Sequence, residues 1–165
     1  VIPANPLITG VGVPDGVQTS ATVGASGGTL TSSDGKLTVS IPAGALSANT
    51  LISIQPISNE GSLALGAAYR IGPENIKFNQ PVKLIFHYDN QLLGGMPEDF
   101  LWIITQEDDR SWNALLKSAI DKTAKTVTVS TGHFSDWALG QFISLSLTPS
   151  SKTLKKGEFW LTRAN

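Results

Sequence analysis

The 165-residue sequence contains no cysteine, which excludes both a disulfide framework and a thiolate metal site. Histidine is almost as scarce: His87 and His133 are the only two, too few for a histidine-rich zinc site. Charge is thin as well. Charged residues make up 15% of the chain and the net charge is −1, with no basic stripe to hold a phosphate backbone and no acidic block to act as a solvating tail. No apolar run approaches the roughly 20 residues of a membrane-spanning helix. The chain opens at Val1 without a methionine or a signal peptide, so it reads as a mature or truncated product. Nothing in the pattern implies a cofactor, and nucleic acid is not an expected partner.

What is present is turn chemistry and alternation. The 16 glycines and 9 prolines sit between short β-prone runs, and a hydrophobic content of 41% is enough for one packed core. Residues 1–17 carry prolines and glycines without periodicity and read as an extended tether or edge segment. Asp34-Gly35 is a hairpin signal immediately before Lys36–Ile41, where Leu37, Val39 and Ile41 share one face. In Leu51–Ile57 either face can be the buried one, and Pro56 marks an edge or a strand end. Val82–Tyr88 places Val82, Leu84, Phe86 and Tyr88 on one side, leaving His87 on the other as a partly exposed strand histidine. From Phe100 to Ser130, three runs separated by turns predict a meander of successive antiparallel strands. Ser118–Lys122 has room for at most one helical turn, and no helix is needed elsewhere. Glu107, Asp108 and Asp109 lack the spaced oxygens of a calcium loop and read as a solvated turn.

Strands at spacings of about 8–12 residues predict an all-β, antiparallel β-sandwich. It is expected over residues 18–142, with 143–165 forming an extra strand or the start of a following β-domain.

The most informative stretch is Thr126–Gly140, TVTVSTGHFSDWALG. An alternating strand turns at Gly132 and presents His133, Phe134 and Ser135 before a second apolar run. Strict alternation cannot bury both Phe134 and Trp137, which predicts a kink or bulge near Ser135 or Asp136. Asp136 is expected to pair with a turn amide or to orient His133.

Three passages together resemble the ZU5 domain, a β-sandwich module. They are Gly27–Leu30 with Asp34–Ala45 (DGKLTVSIPAGA), Ala68–Tyr88 with Gly72-Pro73, Phe78 and Pro81-Val82, and His133–Leu139 (HFSDWAL). The resemblance covers residues 21–140 and extends to bacterial surface proteins carrying such a module after a short tether. It implies a non-catalytic spacer or protein-interaction module, extracellular or at the cell surface. Its partners would be other domains of a longer chain or a separate protein.

The resemblance also implies an alternative, because some ZU5 proteins and the related adhesion-receptor module cut themselves within a His-Phe-Ser or His-Leu-Thr triplet. Carried over, His133 is the base, Ser135 the nucleophile, and the Phe134–Ser135 bond the one broken by an N-to-O acyl shift. A third reading, carbohydrate binding, requires Tyr88, Trp102 and Trp112 to form an exposed aromatic face.

Overall fold

A computed structural model describes residues 8–61, 64–74, 76–115 and 118–141. Two antiparallel sheets pack face to face, as the alternation predicts. One has six strands in the order β1-β4-β5-β11-β7-β8, and the other has five in the order β2-β3-β6-β10-β9. In chain order these are β1 (Thr19–Val23), β2 (Gly28–Thr31), β3 (Leu37–Ile41), β4 (Thr50–Ile57), β5 (Ala64–Gly72), β6 (Val82–His87), β7 (Leu101–Gln106), β8 (Trp112–Leu115), β9 (Ala119–Asp121), β10 (Thr126–Thr131) and β11 (Asp136–Gln141).

The core follows from the two-residue period of each strand. Leu37, Val39 and Ile41 meet Val82, Leu84 and Phe86 in the smaller sheet, and Ile52, Ile54, Tyr69, Ile71, Ile103, Trp137 and Leu139 face them from the larger. The structure thus decides the ambiguity in β4: Ile52, Ile54 and Pro56 point inward, while Leu51 is 63% exposed. Pro56 lies beyond the β1 ladder, which stops at Ile54, and its carbonyl accepts from the Asp15 amide at 2.8 Å on that side. His87 stays partly exposed, within 3.4 Å of the Thr38 hydroxyl.

Two expectations need correction. The predicted meander does not form: β7 and β8 pair in the larger sheet, whereas β9 and β10 pair in the smaller one. The connection between β8 and β9 crosses from the larger layer to the smaller. Residues 119–121, expected to offer at most a helical turn, are strand β9; the helix lies instead at Asn90–Leu93 (α1). Asp89 caps α1 by accepting from the Leu92 amide at 2.8 Å, and Gly94 closes it with φ 56°.

On its outer side the larger sheet carries two parallel rows. Register aligns Gln55, Arg70, Asp136, Gln106 and Trp112 in one row and Ile57, Ala68, Ala138 and Ile104 in the next. The second row is a small apolar cluster, with Ala68 and Ala138 wholly buried despite lying on the outside. Its cover comes from the chain following β4, where a Cβ on Gly61 would sit 3.3 Å from Ile104 Cδ1, and from residues 8–17. That segment runs along the sheet, bridging Pro14 to Ile57 and Ile8 to Ser111. The expected tail, 143–165, lies outside the described residues.

The two layers are also tied by polar contacts, Thr19 Oγ1 to the Thr31 carbonyl at 3.0 Å among them, and the most buried is centred on Asp34. Asp34, in the β2–β3 hairpin, accepts hydrogen bonds from Ser32 Oγ (2.6 Å), the Lys36 amide (3.0 Å) and the Tyr69 hydroxyl of the opposite sheet (2.6 Å). Burial alone would raise the Asp34 pKa, but these bonds hold its carboxyl below the usual range; burial and the Asp34 charge push the Tyr69 phenol well above its own. Tyr69→Phe is therefore expected to lower stability by about 1–2 kcal/mol in urea unfolding near pH 7. Because the folded-state pKa of Asp34 is depressed, its contribution is complete above about pH 4. It is lost as acid titrates the folded state below that, so the gap between Tyr69→Phe and wild type narrows in acid.

Candidate functional site

The His133–Ser135 triplet forms the corner where the chain passes from β10 in one sheet to β11 in the other. Thr131, the last residue of β10, holds the turn: its hydroxyl donates to the His133 carbonyl at 3.0 Å and accepts from the His133 amide at 3.3 Å. Phe134 then drops into the core at 2% exposure and meets Phe78 edge to face, with centroids 4.9 Å apart. Trp137 is buried from the strand that follows. Both aromatics reach the interior because residues 132–135 belong to neither strand, which releases them from alternation. A second irregularity, between Ala138 and Leu139, adjusts β11 to β5.

The polar groups at the corner are committed to structural partners. Ser135 Oγ donates to the Gln106 carbonyl at 2.5 Å, and the Ser135 carbonyl accepts from the Ile71 amide at 3.1 Å. The exposed His133 ring lies 3.4 Å from Thr131 Oγ1 through Nδ1 and tilts against Trp137 at a centroid distance of 5.7 Å. Among the described residues no hydrogen bond joins the imidazole to the Ser135 hydroxyl. The Trp137 indole N–H has no hydrogen-bond partner among the described residues.

Asp136 neither orients His133 nor caps a turn. It is 5% exposed and receives a two-pronged contact from Arg70, Nε to Oδ1 at 2.8 Å and Nη2 to Oδ2 at 2.7 Å. The hydrogen bond and charge of Asp136 raise the Arg70 pKa against the opposing effect of burial. Sequence reading passed over Arg70, whose one visible signal is its position at the end of an apolar run.

The corner borders an open, polar cleft of about 670 Å³. His133, Ser135 and Asp136 line it together with Arg70, Glu74, Gln106, Arg110 and Val11. Among the described residues no group of three His, Asp or Glu side chains is arranged to hold a metal, and no helix is long and apolar enough to cross a membrane.

The three aromatics considered for sugar binding do not form one face. Tyr88 is 6% exposed and donates to Glu98 at 3.0 Å; burial first, then that bond, pushes its phenol up to about 12. Trp112 is half-buried and donates to Thr9 Oγ1 at 2.8 Å, and Trp102 is half-buried on β7.

Residues 19–96 match the family model of the ZU5 domain. The ZU5 match spans just under half of the chain, from β1 through α1, and stops before β7. The His133–Ser135 corner therefore lies beyond the ZU5-matching segment, although β11 completes the same sandwich by pairing with β5 inside it. No curated protein matches the chain.

Arg70→Met leaves the Asp136 carboxylate buried and unpaired, so it is expected to cost about 2–4 kcal/mol in urea unfolding. The double variant Arg70→Met/Asp136→Leu, which removes both charges, should recover part of that loss.

Proposed function

We propose that this domain is a non-catalytic β-sandwich that serves as a spacer or protein-interaction module of a secreted or cell-surface protein. Of the described residues, 18–141 make up the module and 8–17 its edge segment. The ZU5 match supports the interaction role. The observation that carries the non-catalytic reading is the Ser135 hydroxyl. Its proton goes to the Gln106 carbonyl at 2.5 Å, and the imidazole two residues earlier is engaged with Thr131. A serine whose proton is held by a carbonyl has no base to activate it. The corner residues are better accounted for as fasteners between β7, β5 and β11.

A second reading, self-cleavage between Phe134 and Ser135, is favoured by one observation. His133 and Ser135 open onto the same cleft while the Phe134 side chain is anchored in the core. Cleavage would require Ser135 Oγ to leave Gln106 and pass its proton to His133. Oγ would then attack the Phe134 carbonyl, the Phe134–Ser135 C–N bond would break as His133 passes the proton to the Ser135 nitrogen, and water would hydrolyse the resulting ester.

Intact mass separates the two. Under the leading reading the chain persists as a single 17.4 kDa species through prolonged incubation at neutral pH. Ser135→Ala then costs about 1 kcal/mol of stability and changes no mass. Two fragments breaking after Phe134, abolished by Ser135→Ala, would replace that reading with self-cleavage.

A further inference from the structure

Residues 9–16 cross the outer face of the larger sheet as a strap, and nearly every polar contact beneath them is made to the strap's main chain or to one hydroxyl. Gln55 Nε2 donates to the Gly16 carbonyl at 3.0 Å, Arg70 Nη2 to the Gly12 carbonyl at 3.2 Å, and Gln106 Nε2 to the Gly10 carbonyl at 3.0 Å. At the far end Thr9 Oγ1 accepts from Gln106 Nε2 at 3.1 Å and from Trp112 Nε1 at 2.8 Å. Ser58 adds two more bonds, its amide to the Val13 carbonyl at 2.8 Å and its hydroxyl accepting from the Val13 amide at 3.0 Å.

The donors belong to the row that register lines up across β4, β5, β7 and β8. From β4 to β8 is four strand spacings, roughly 19 Å at about 4.8 Å each. Seven extended residues reach roughly 23–25 Å. The strap thus fits the row in length as well as in bonding.

Fit is steric too. Gly12 is buried, and a Cβ there would lie 2.5 Å from the Ser58 carbonyl oxygen and 2.8 Å from Ile57 Cδ1. Gly16, at φ 138°, lies against Pro56 and turns the strap into β1 through the exposed Val17. On the strap, Ile8, Val11 and Val13 are 66%, 49% and 62% exposed. Little apolar burial therefore holds it down, and its attachment is a short series of hydrogen bonds around a hinge.

We propose that this donor row is a receptor for an extended, glycine-containing peptide, and that the partner it takes in trans is the 8–17 strap of a second copy of the chain. Receptor and ligand lie in one sequence, so two copies can exchange straps through a self-complementary contact. The short hinge gives each strap a millimolar effective concentration on its own sheet, which favours the closed monomer when dilute and exchange when concentrated or when the resident strap is lifted. The inference rests on the interaction-module reading and is independent of the intact-mass measurement that decides that reading.

The absence of cysteine permits a direct test with the full chain. A Val13→Cys chain donates the strap, and a Gly12→Val/Ser58→Cys chain, its own strap lifted, offers an empty receptor. After mixing with a short bismaleimide, a covalent heterodimer is expected. The yield should fall at least fivefold when the donor also carries Gly12→Val. In parallel, a labelled peptide of residues 8–17 should bind the Gly12→Val chain at least tenfold more tightly than wild type, and a scrambled peptide should not bind. Thr9→Val, which removes the acceptor shared by Gln106 and Trp112, provides a second opened chain should Gly12→Val fail to fold. No heterodimer and no peptide uptake by a folded opened chain, or equal uptake of the scrambled peptide, overturns the proposal.

Discussion

The Arg70–Asp136 pair is the contact on which the larger sheet depends. Asp136 is the first residue of β11, the strand inserted between β5 and β7, and a buried carboxylate at that point is tolerable only with a fixed cation. Arg70 supplies it across the β5–β11 register, and the same guanidinium reaches the Gly12 carbonyl of the strap. One planar side chain thus fastens β11, β5 in the middle of the sheet and the segment that precedes β1. A lysine, with a point charge and no fork, could not serve all three positions at once.

This arrangement recasts the His133–Ser135 corner. Histidine and serine two residues apart suggest chemistry when read along a strand, where i and i+2 share a side. The corner is not a strand. Thr131 gathers the His133 backbone, Phe134 packs on Phe78, and Ser135 reaches β7 through the Gln106 carbonyl. Gln106 itself belongs to both systems, since its carbonyl accepts the hydrogen bond of the Ser135 hydroxyl while its side-chain amide holds Thr9 and Gly10. The corner and the strap are neighbouring parts of one polar network bordering the same cleft.

The Asp34–Tyr69 bond plays a comparable part between the layers. Its hairpin was legible as Asp34-Gly35, and Gly35 does adopt the left-handed conformation, with φ 72°. That the Asp34 carboxylate receives a phenol from the other sheet was not legible, because Tyr69 lies 35 residues away and looks like any inward aromatic.

Alternation in the sequence determined the sandwich and the buried faces of β3 and β6, because a strand facing one core must repeat every two residues whatever its neighbours are. The conflict between Phe134 and Trp137 likewise marked a break in β-structure near the triplet. The tertiary structure alone decided which strands pair, that β8 and β9 separate into different sheets, and which face of β4 is buried. It also decided that Arg70, Asp136 and Gln106 form one row. Hydrogen bonding between strands is carried by a backbone common to all residues, so partner and register leave almost no local trace. The row exists only once β5, β11 and β7 lie side by side.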